Sequence, residues 1–374
     1  MDFTLNHEQL MLQNTVREFS RNEVEPRFRE METSGRIPDD MLENMARLGL
    51  LGMTVPREYG GTGAGGFAHI LAIEQLAYSG TTGWWPAAFN NSIPEIICNY
   101  GTEEQKARFV TGGFDGRGCF SIQFTEADTG SDPKKLVTTS RADGDYFIIN
   151  GAKRFSTFGA RGGTTLCFTR DEADGCTAFL VEKNCPGYVV EKVWELMGAG
   201  GVEAADISYH DVRVRKDQML HTAGRGMEVL LHWIAVEKLE GCIAAVGLGQ
   251  AALDEAAHYA KNRHAGGRPM TAMQAIRFEL AELYARIQAC RWLTYRTAML
   301  YESGDESLQT EAAACKLFVQ PAVSAVIETA LRLHGGYGYT KDFKIERLYR
   351  AQPGNVVIST GLEINKAIVS AMFR

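Results

Sequence analysis

The sequence holds no C-x-x-C pair, no Cys/His cluster at metal-ligand spacing, no basic run interleaved with aromatic residues, and no apolar stretch near the ~20 residues that span a bilayer. Each absence removes a class of function. The eight cysteines, at 98, 119, 167, 176, 185, 242, 290 and 315, are scattered singly, which argues for reduced, half-buried residues and against a disulfide framework. A formal net charge of −7 argues against a surface that seeks nucleic acid, while leaving phosphate-bearing small molecules open. The first residues, MDFTLNHEQ, lack the basic start and apolar centre of an export signal. Together these absences predict a soluble, cytoplasmic protein with no metal, no nucleic-acid partner and no membrane insertion.

What the chain does have is apolar content, 45% of 374 residues, sufficient for a large core in two or three units of about 150 residues. From Asn6 to about Phe114 apolar residues repeat at helical spacing, as in Leu12, Val16 and Phe19, and Asn6 with Gln9 has the form of a capping pair. Between Gly118 and Val214 the texture changes to short runs such as CFSIQF, YFIING, TTLCFTR and TAFLVEK, separated by Gly, Asp and Asn turns. From Gly226 onward long helical patterns return. The expected class is α+β: an N-terminal α-helical domain over residues 1–116, a middle antiparallel β-barrel or sandwich over 117–222, and a C-terminal four-helix bundle over 223–374.

Residues 61–66, GTGAGG, match the dinucleotide fingerprint G-x-G-x-x-G, but Pro56 and a charged turn interrupt the approach, and the nearby acid is Glu74 where the ribose would need one about 20 residues on. The run is expected to be a flexible turn between helices that touches no pyrophosphate. A second stretch is chemically richer. TEADTGSD at 125–132 gathers hydroxyls, carboxylates and glycine in one bend, whose backbone N–H groups could grip a phosphate or a flavin edge. INGAKRFSTFG follows at 149–159. In a chain ordered helical, β, helical, these two segments resemble the acyl-CoA dehydrogenase family, whose pattern there is T-E-P-x-x-G-S-D and then I-N-G-x-K-x-W-I-T. YGG at 59–61, YGTEEQK at 100–106, HDVRV at 210–214, GLGQAALDEAAHYAKNR at 247–263 and HGGYGYTKDFKIERLYR at 334–350 extend the likeness over essentially the whole chain.

The resemblance implies FAD lying between the β-domain and the bundle. Phe124, Thr125, Phe155, Ser156 and Thr157 would contact the flavin, with Phe155 in the place of the family's Trp, and Gly361 and Glu363 would join them. Ser131 would touch both the flavin and the substrate's pantetheine arm. The ADP half would be gripped across a subunit interface by Arg263, Gln274, Arg332, Gly335 and Gly336, so a homo-oligomer is implied, a tetramer being the expected state. Gly266 replaces the aromatic of the family's R-x-x-F-G, and Arg332 replaces a Gln, where a guanidinium beside a pyrophosphate is electrostatically sensible.

The implied reaction is α,β-dehydrogenation of an acyl-CoA thioester to the enoyl-CoA. A carboxylate takes the C2 proton while hydride passes from C3 to the flavin, and the electrons go on to an electron-transfer flavoprotein. In most of the family the base is a Glu in a Y-E-G-T segment near the C-terminus. Here Ser359 stands there, with a backbone N–H that keeps the contact to the thioester carbonyl. The isovaleryl and long-chain members carry their Glu on the first long helix of the bundle instead, and AVEKLEG puts Glu237 at that position, with Lys238 beside it as a substrate or CoA contact. Read bare, Glu237 is equally a solvated helical carboxylate paired with a lysine, and Glu240 and Glu363 are lesser candidates. Ser359, Gly266, Arg332 and Ala127, the last in place of the Pro of T-E-P, motivate an alternative: a non-dehydrogenating relative with altered flavin chemistry, an acyl-carrier-protein substrate or an assembly role. The acyl group is not legible. Trp84, Trp85, Asn90 and Asn91 precede a segment that borders the family's acyl pocket, but tryptophans so spaced are more often core.

Overall fold

Asn6 accepts the N–H of Gln9 at 2.9 Å and the Gln9 side chain accepts the Asn6 N–H at 2.9 Å, so helix α1 (His7–Phe19) starts at the capping pair. The computed structural model describes residues 4–130, 132 and 135–374. After α1 come α2 (Phe28–Ser34), α3 (Asp39–Arg47), α4 (Gly66–Ala77), α5 (Trp85–Tyr100) and α6 (Glu103–Phe109), the last capped in the same reciprocal way by Thr102 and Gln105. Helices α4 and α5 are buried along almost their whole length, which fits their near-continuous apolar composition and makes them the inner layer of the first third.

The middle third is a sheet of β1 (Ser121–Gln123), β2 (Thr139–Asp143), β3 (Tyr146–Ser156), β4 (Thr164–Arg170), β5 (Cys176–Glu182), β6 (Tyr188–Val193), β7 (Ala205–Arg215) and β8 (Met219–Leu220). Its order is β6-β7-β3-β2-β4-β5-β8, with β1 paired to β4. The pairings are antiparallel as expected, except that β4 runs parallel to both β1 and β2. That crossing carries no hairpin signal in the sequence, because β4 follows β3 in the chain but pairs elsewhere.

The last third holds α7 (Gly226–Asn262), α8 (Gln274–Ser303), α9 (Leu308–Leu333), α10 (Lys344–Val357) and α11 (Leu362–Ser370), with a two-stranded ribbon, β9 (His264–Ala265) and β10 (Arg268–Pro269), between α7 and α8. Helix α7 packs on α8, α9 and α10 and also on α4 and α5, so it is shared by both helical regions. An 18-residue window within the 26-residue helix α9 has a mean hydropathy of 1.3, long and apolar enough to cross a bilayer by composition, contrary to the expectation of no such stretch; its packing against α7, α8, α10 and α11 accounts for that apolarity. All eight cysteines are free thiols.

The GTGAGG segment enters α4, but it is packed, which corrects the expectation of a flexible turn. A Cβ on Gly66 would come within 2.5 Å of the Tyr301 ring, and one on Gly65, at φ +93, within 2.5 Å of the Glu302 carboxylate. Glu302 accepts the Phe67 N–H at 2.8 Å, so an internal carboxylate occupies the helix N-terminus where a fingerprint would hold pyrophosphate. Glu74 is likewise engaged, at 2.8 Å from Arg291. Gly66→Ala should therefore destabilise by about 1–3 kcal/mol through overpacking. Gly63→Ala should cost about 1 kcal/mol, because its φ is +63 but its Cβ would meet nothing nearer than 3.7 Å. Chemical unfolding of both variants checks the order, and a Gly66→Ala protein as stable as the parent would contradict the packing account.

Candidate active site

The polar bend after β1 is built around one buried carboxylate. Glu126, 3% exposed, pairs with Lys153 at 2.7 Å and accepts the N–H groups of Val137 at 2.7 Å and Thr138 at 3.0 Å. It is consumed in holding the bend and does not line the cavity described next. The Arg154 N–H donates to the Thr125 carbonyl at 2.8 Å, which fastens that bend to the end of β3. There the backbone is forced into the left-handed region at Phe155, φ 53, and the ring stands half-exposed, 5.3 Å from Trp194.

Opposite, α7 presents Trp233 and Glu237, one turn apart and so on one face. Both line a cavity of about 590 Å³ that Phe124, Thr125, Phe155 and Thr157 close on the sheet side, and Ser359 and Gly361 on the strap between α10 and α11. Seven of the residues expected at the flavin and substrate, Phe124, Thr125, Phe155, Thr157, Glu237, Ser359 and Gly361, thus come together. Ser156 lies just behind, buried, its Oγ without a protein partner. Ser359 is also in the left-handed region, at φ 67, and its Oγ acts on the Glu237 carboxyl, too loosely placed for a regular hydrogen bond.

Glu237 is 8% exposed and its Oε2 has no partner. Burial raises its carboxyl to about 8, against the opposing pull of the Lys316 cation, while Glu240 adds to the rise and Ser359 and Lys238 resist it. Lys316, on α9 and buried, donates from Nζ to the Ile358 carbonyl, so one side chain connects the surroundings of Glu237 to the strap. Buried amides stitch the same helices: Gln320 donates to the Gly241 carbonyl at 3.0 Å and Gln352 to Gln320 Oε1 at 2.9 Å.

Three expected residues lie elsewhere. Lys238 is turned into the protein, 1% exposed with an unpartnered Nζ, its ammonium lowered to about 8 by burial and then by Lys316, and it does not line the cavity. A lysine one position on from Glu237 points about 100° away around the helix. Glu240 faces α4, bonded to His69 at 2.9 Å, and burial holds its carboxyl well above the ordinary range and His69 down at about 3; neither lines the cavity. Glu363 points to solvent, 3.8 Å from Lys366. Ser131 lies outside the described residues.

A second cavity of about 480 Å³ opens where α7 and α9 end, lined by Arg263, Arg332, Gly335 and Gly336 with Tyr259 and Tyr337. The Arg263 guanidinium lies 5.8 Å from the Tyr337 ring centre. No atom stands within 4 Å of where a Cβ on either glycine would be, which leaves an open cationic shelf. Gln274 is not on this wall; it begins α8, exposed, four residues after Met270, which is. Among the described residues no group of three His, Cys, Asp or Glu could hold a metal ion.

Three family models cover nearly all of this architecture: "Acyl-CoA dehydrogenase, N-terminal domain" over residues 6–117, the middle domain over 121–212 and the C-terminal domain over 224–370. The chain belongs to the acyl-CoA dehydrogenase family and is an oxidoreductase of that fold. It is 33% identical to a 3-(aryl)acrylate reductase of Clostridium sporogenes, over 94% of this chain and 93% of that one. It is 30% identical to a short-chain specific acyl-CoA dehydrogenase of Clostridium acetobutylicum, over 99% of both. The structure of butyryl-CoA dehydrogenase from Megasphaera elsdenii superposes with a TM-score of 0.96 over the whole of both chains, at 26% identity.

Sequence reasoning missed Lys316 and did not place Phe89 or Trp233 at the site. A lysine in the otherwise apolar run AAACKLFVQPAV was the available signal for the first. Trp85 lines the cavity while Trp84 stacks on it from behind, ring centres 4.4 Å apart, a distinction that spacing alone does not make.

The Glu237 carboxyl should be protonated at neutral pH and ionise as pH rises through about 8. Infrared difference spectra would show its C=O band fading across that interval, absent from Glu237→Gln, and moved to higher pH in Lys316→Met, which removes the stabilising cation. A band already lost by pH 5 would contradict the burial described.

Proposed function

We propose that this chain catalyses FAD-dependent α,β-dehydrogenation of an acyl-CoA thioester with Glu237 as the base, and passes the electrons to an electron-transfer flavoprotein. The observation that carries this reading is the unpartnered, buried Glu237 Oε2 on a cavity whose other walls are the two motif segments and the Ser359 strap. The family is FAD-dependent, and the residues present fit that group. Ser156 offers a buried hydroxyl with no protein partner at the cavity's sheet side, and Arg263 and Arg332 offer cations above two glycines where a pyrophosphate could approach backbone. FAD, when bound, supplies the acceptor for the hydride from C3.

The protein's own part is proton and carbonyl chemistry. Glu237, desolvated and with a raised pKa, is a stronger base than a solvent-exposed carboxylate once ionised, and removes the C2 proton. The Ser359 backbone N–H would donate to the thioester oxygen and stabilise the enolate charge that develops. Lys316 holds the strap by its Ile358 contact and so sets the distance between donor and base. What favours this over a non-dehydrogenating relative is that the carboxylate absent at Ser359 has a counterpart in Glu237 on the same cavity. A carboxyl still protonated at neutral pH would also serve the reverse reaction, delivering a proton to C2, which suits the kinship with a reductase.

The open Arg263 shelf is half of a site, and the reading assigns its other half to a neighbouring copy, in a homotetramer. Sedimentation should then give an assembly larger than a monomer whenever flavin is bound. A flavin-loaded monomer would rule the shared site out.

Glu237→Gln keeps the side chain's shape without its basicity. Anaerobic stopped-flow bleaching of the flavin by a reactive acyl-CoA should slow by roughly 10²-fold to 10⁴-fold in that variant. Ser359→Ala, which retains the backbone N–H, and Glu363→Gln, which removes a solvent-facing carboxylate, should stay near the parent rate. Near-normal reduction in Glu237→Gln would remove it as the base.

A further inference from the structure

Aromatic rings form one part of the cavity wall. Trp233 lies one helical turn before Glu237, and Phe89 and Trp85 from α5 line the same cavity with Ile122. The rings meet one another at angles: Phe89 to Trp233 at 6.1 Å and 71°, Trp85 to Phe89 at 5.8 Å and 39°.

Each ring is fixed from behind. The Trp233 indole N–H donates to Ser92 Oγ at 3.3 Å, Trp84 stacks on Trp85, and Phe158, fully buried, meets Phe89 edge-on at 5.8 Å. These rings are packed against buried neighbours, so this part of the wall keeps its shape, while Met197 elsewhere on the cavity is a long flexible side chain of the lining. Among the described residues that line the cavity the two cations are engaged, Arg154 with Asp206 and Arg350 with Glu32 at 2.5 Å and Glu346 at 2.7 Å.

We propose that this slot selects an acyl group ending in a flat aromatic ring carried on C3, an arylpropanoyl thioester. The dehydrogenase reading enters only to place C2 at Glu237. With C2 there, the one turn separating Glu237 from Trp233 is about the depth of a phenyl ring on C3. A flat ring can then offer its edge to one wall and its face to another, an attraction that a saturated ring of similar bulk lacks.

The test compares the CoA thioesters of 3-phenylpropanoate, 3-cyclohexylpropanoate and hexanoate on the flavin-loaded protein. Calorimetric binding to Glu237→Gln holoenzyme requires no chemical step and should favour the phenyl compound by about tenfold over both others. The same order should appear in flavin bleaching by the parent enzyme. Phe89→Leu, which keeps the site apolar, should narrow the preference to about twofold or threefold while flavin content holds. Equal binding of the cyclohexyl or hexanoyl compound overturns the proposal, as does a Phe89→Leu variant that keeps the full preference. If the binding order holds but no thioester bleaches the flavin, the slot stands and the dehydrogenase reading falls.

Discussion

A carboxylate enclosed by protein with one oxygen unpartnered costs several kcal/mol to keep ionised, and the surroundings of Glu237 are organised around that cost. The opposing charge comes from Lys316, a buried cation on the neighbouring helix. Because the same ammonium also holds the Ile358 carbonyl, the group that moderates the carboxyl fixes the strap carrying Ser359. Helix α7 is the common support. It packs against both the first helical region and the rest of the bundle, so the carboxylate is set by the junction of two regions and belongs to neither alone.

Two of the seven non-glycine residues with left-handed backbone among the described residues stand on the same cavity. Phe155 and Ser359 both adopt left-handed backbone conformations, which cost roughly 1–3 kcal/mol for residues with a Cβ. Both sit on its walls, at the end of β3 and on the strap between α10 and α11. The surrounding structure holds each in place: the Arg154 to Thr125 bond and the Glu126 to Lys153 pair on one side, the Lys316 contact on the other. Two hydroxyls without a regular hydrogen bond, Ser156 Oγ and Ser359 Oγ, sit at or beside these strained positions, the second beside the Glu237 carboxyl. Unmet polar valences next to backbone strain mark a surface prepared for something other than protein.

Three acids show how little residue type alone decides. Glu126, Glu240 and Glu237 are all buried, yet the first is held by a lysine and two amides, the second is bonded to His69, and only the third of them lines the cavity. Likewise Lys238 and Lys316 are both buried lysines near Glu237, and only Lys316 reaches the strap.

The capping pair at Asn6, the change from helical to alternating spacing and back, the single free cysteines and the family motifs were all legible in the sequence, because each depends on local periodicity or on short runs of fixed spacing. So was Glu237 as the carboxylate to watch, through its place on a motif-bearing helix. What the glycines of GTGAGG are for was not, since Tyr301 and Glu302 approach them from more than 200 residues away. Nor were the parallel pairing of β4, the reach of Lys316 or the turning away of Lys238. Those depend on which face of a helix meets which neighbour, and that is decided only when distant segments pack together and exclude water between them.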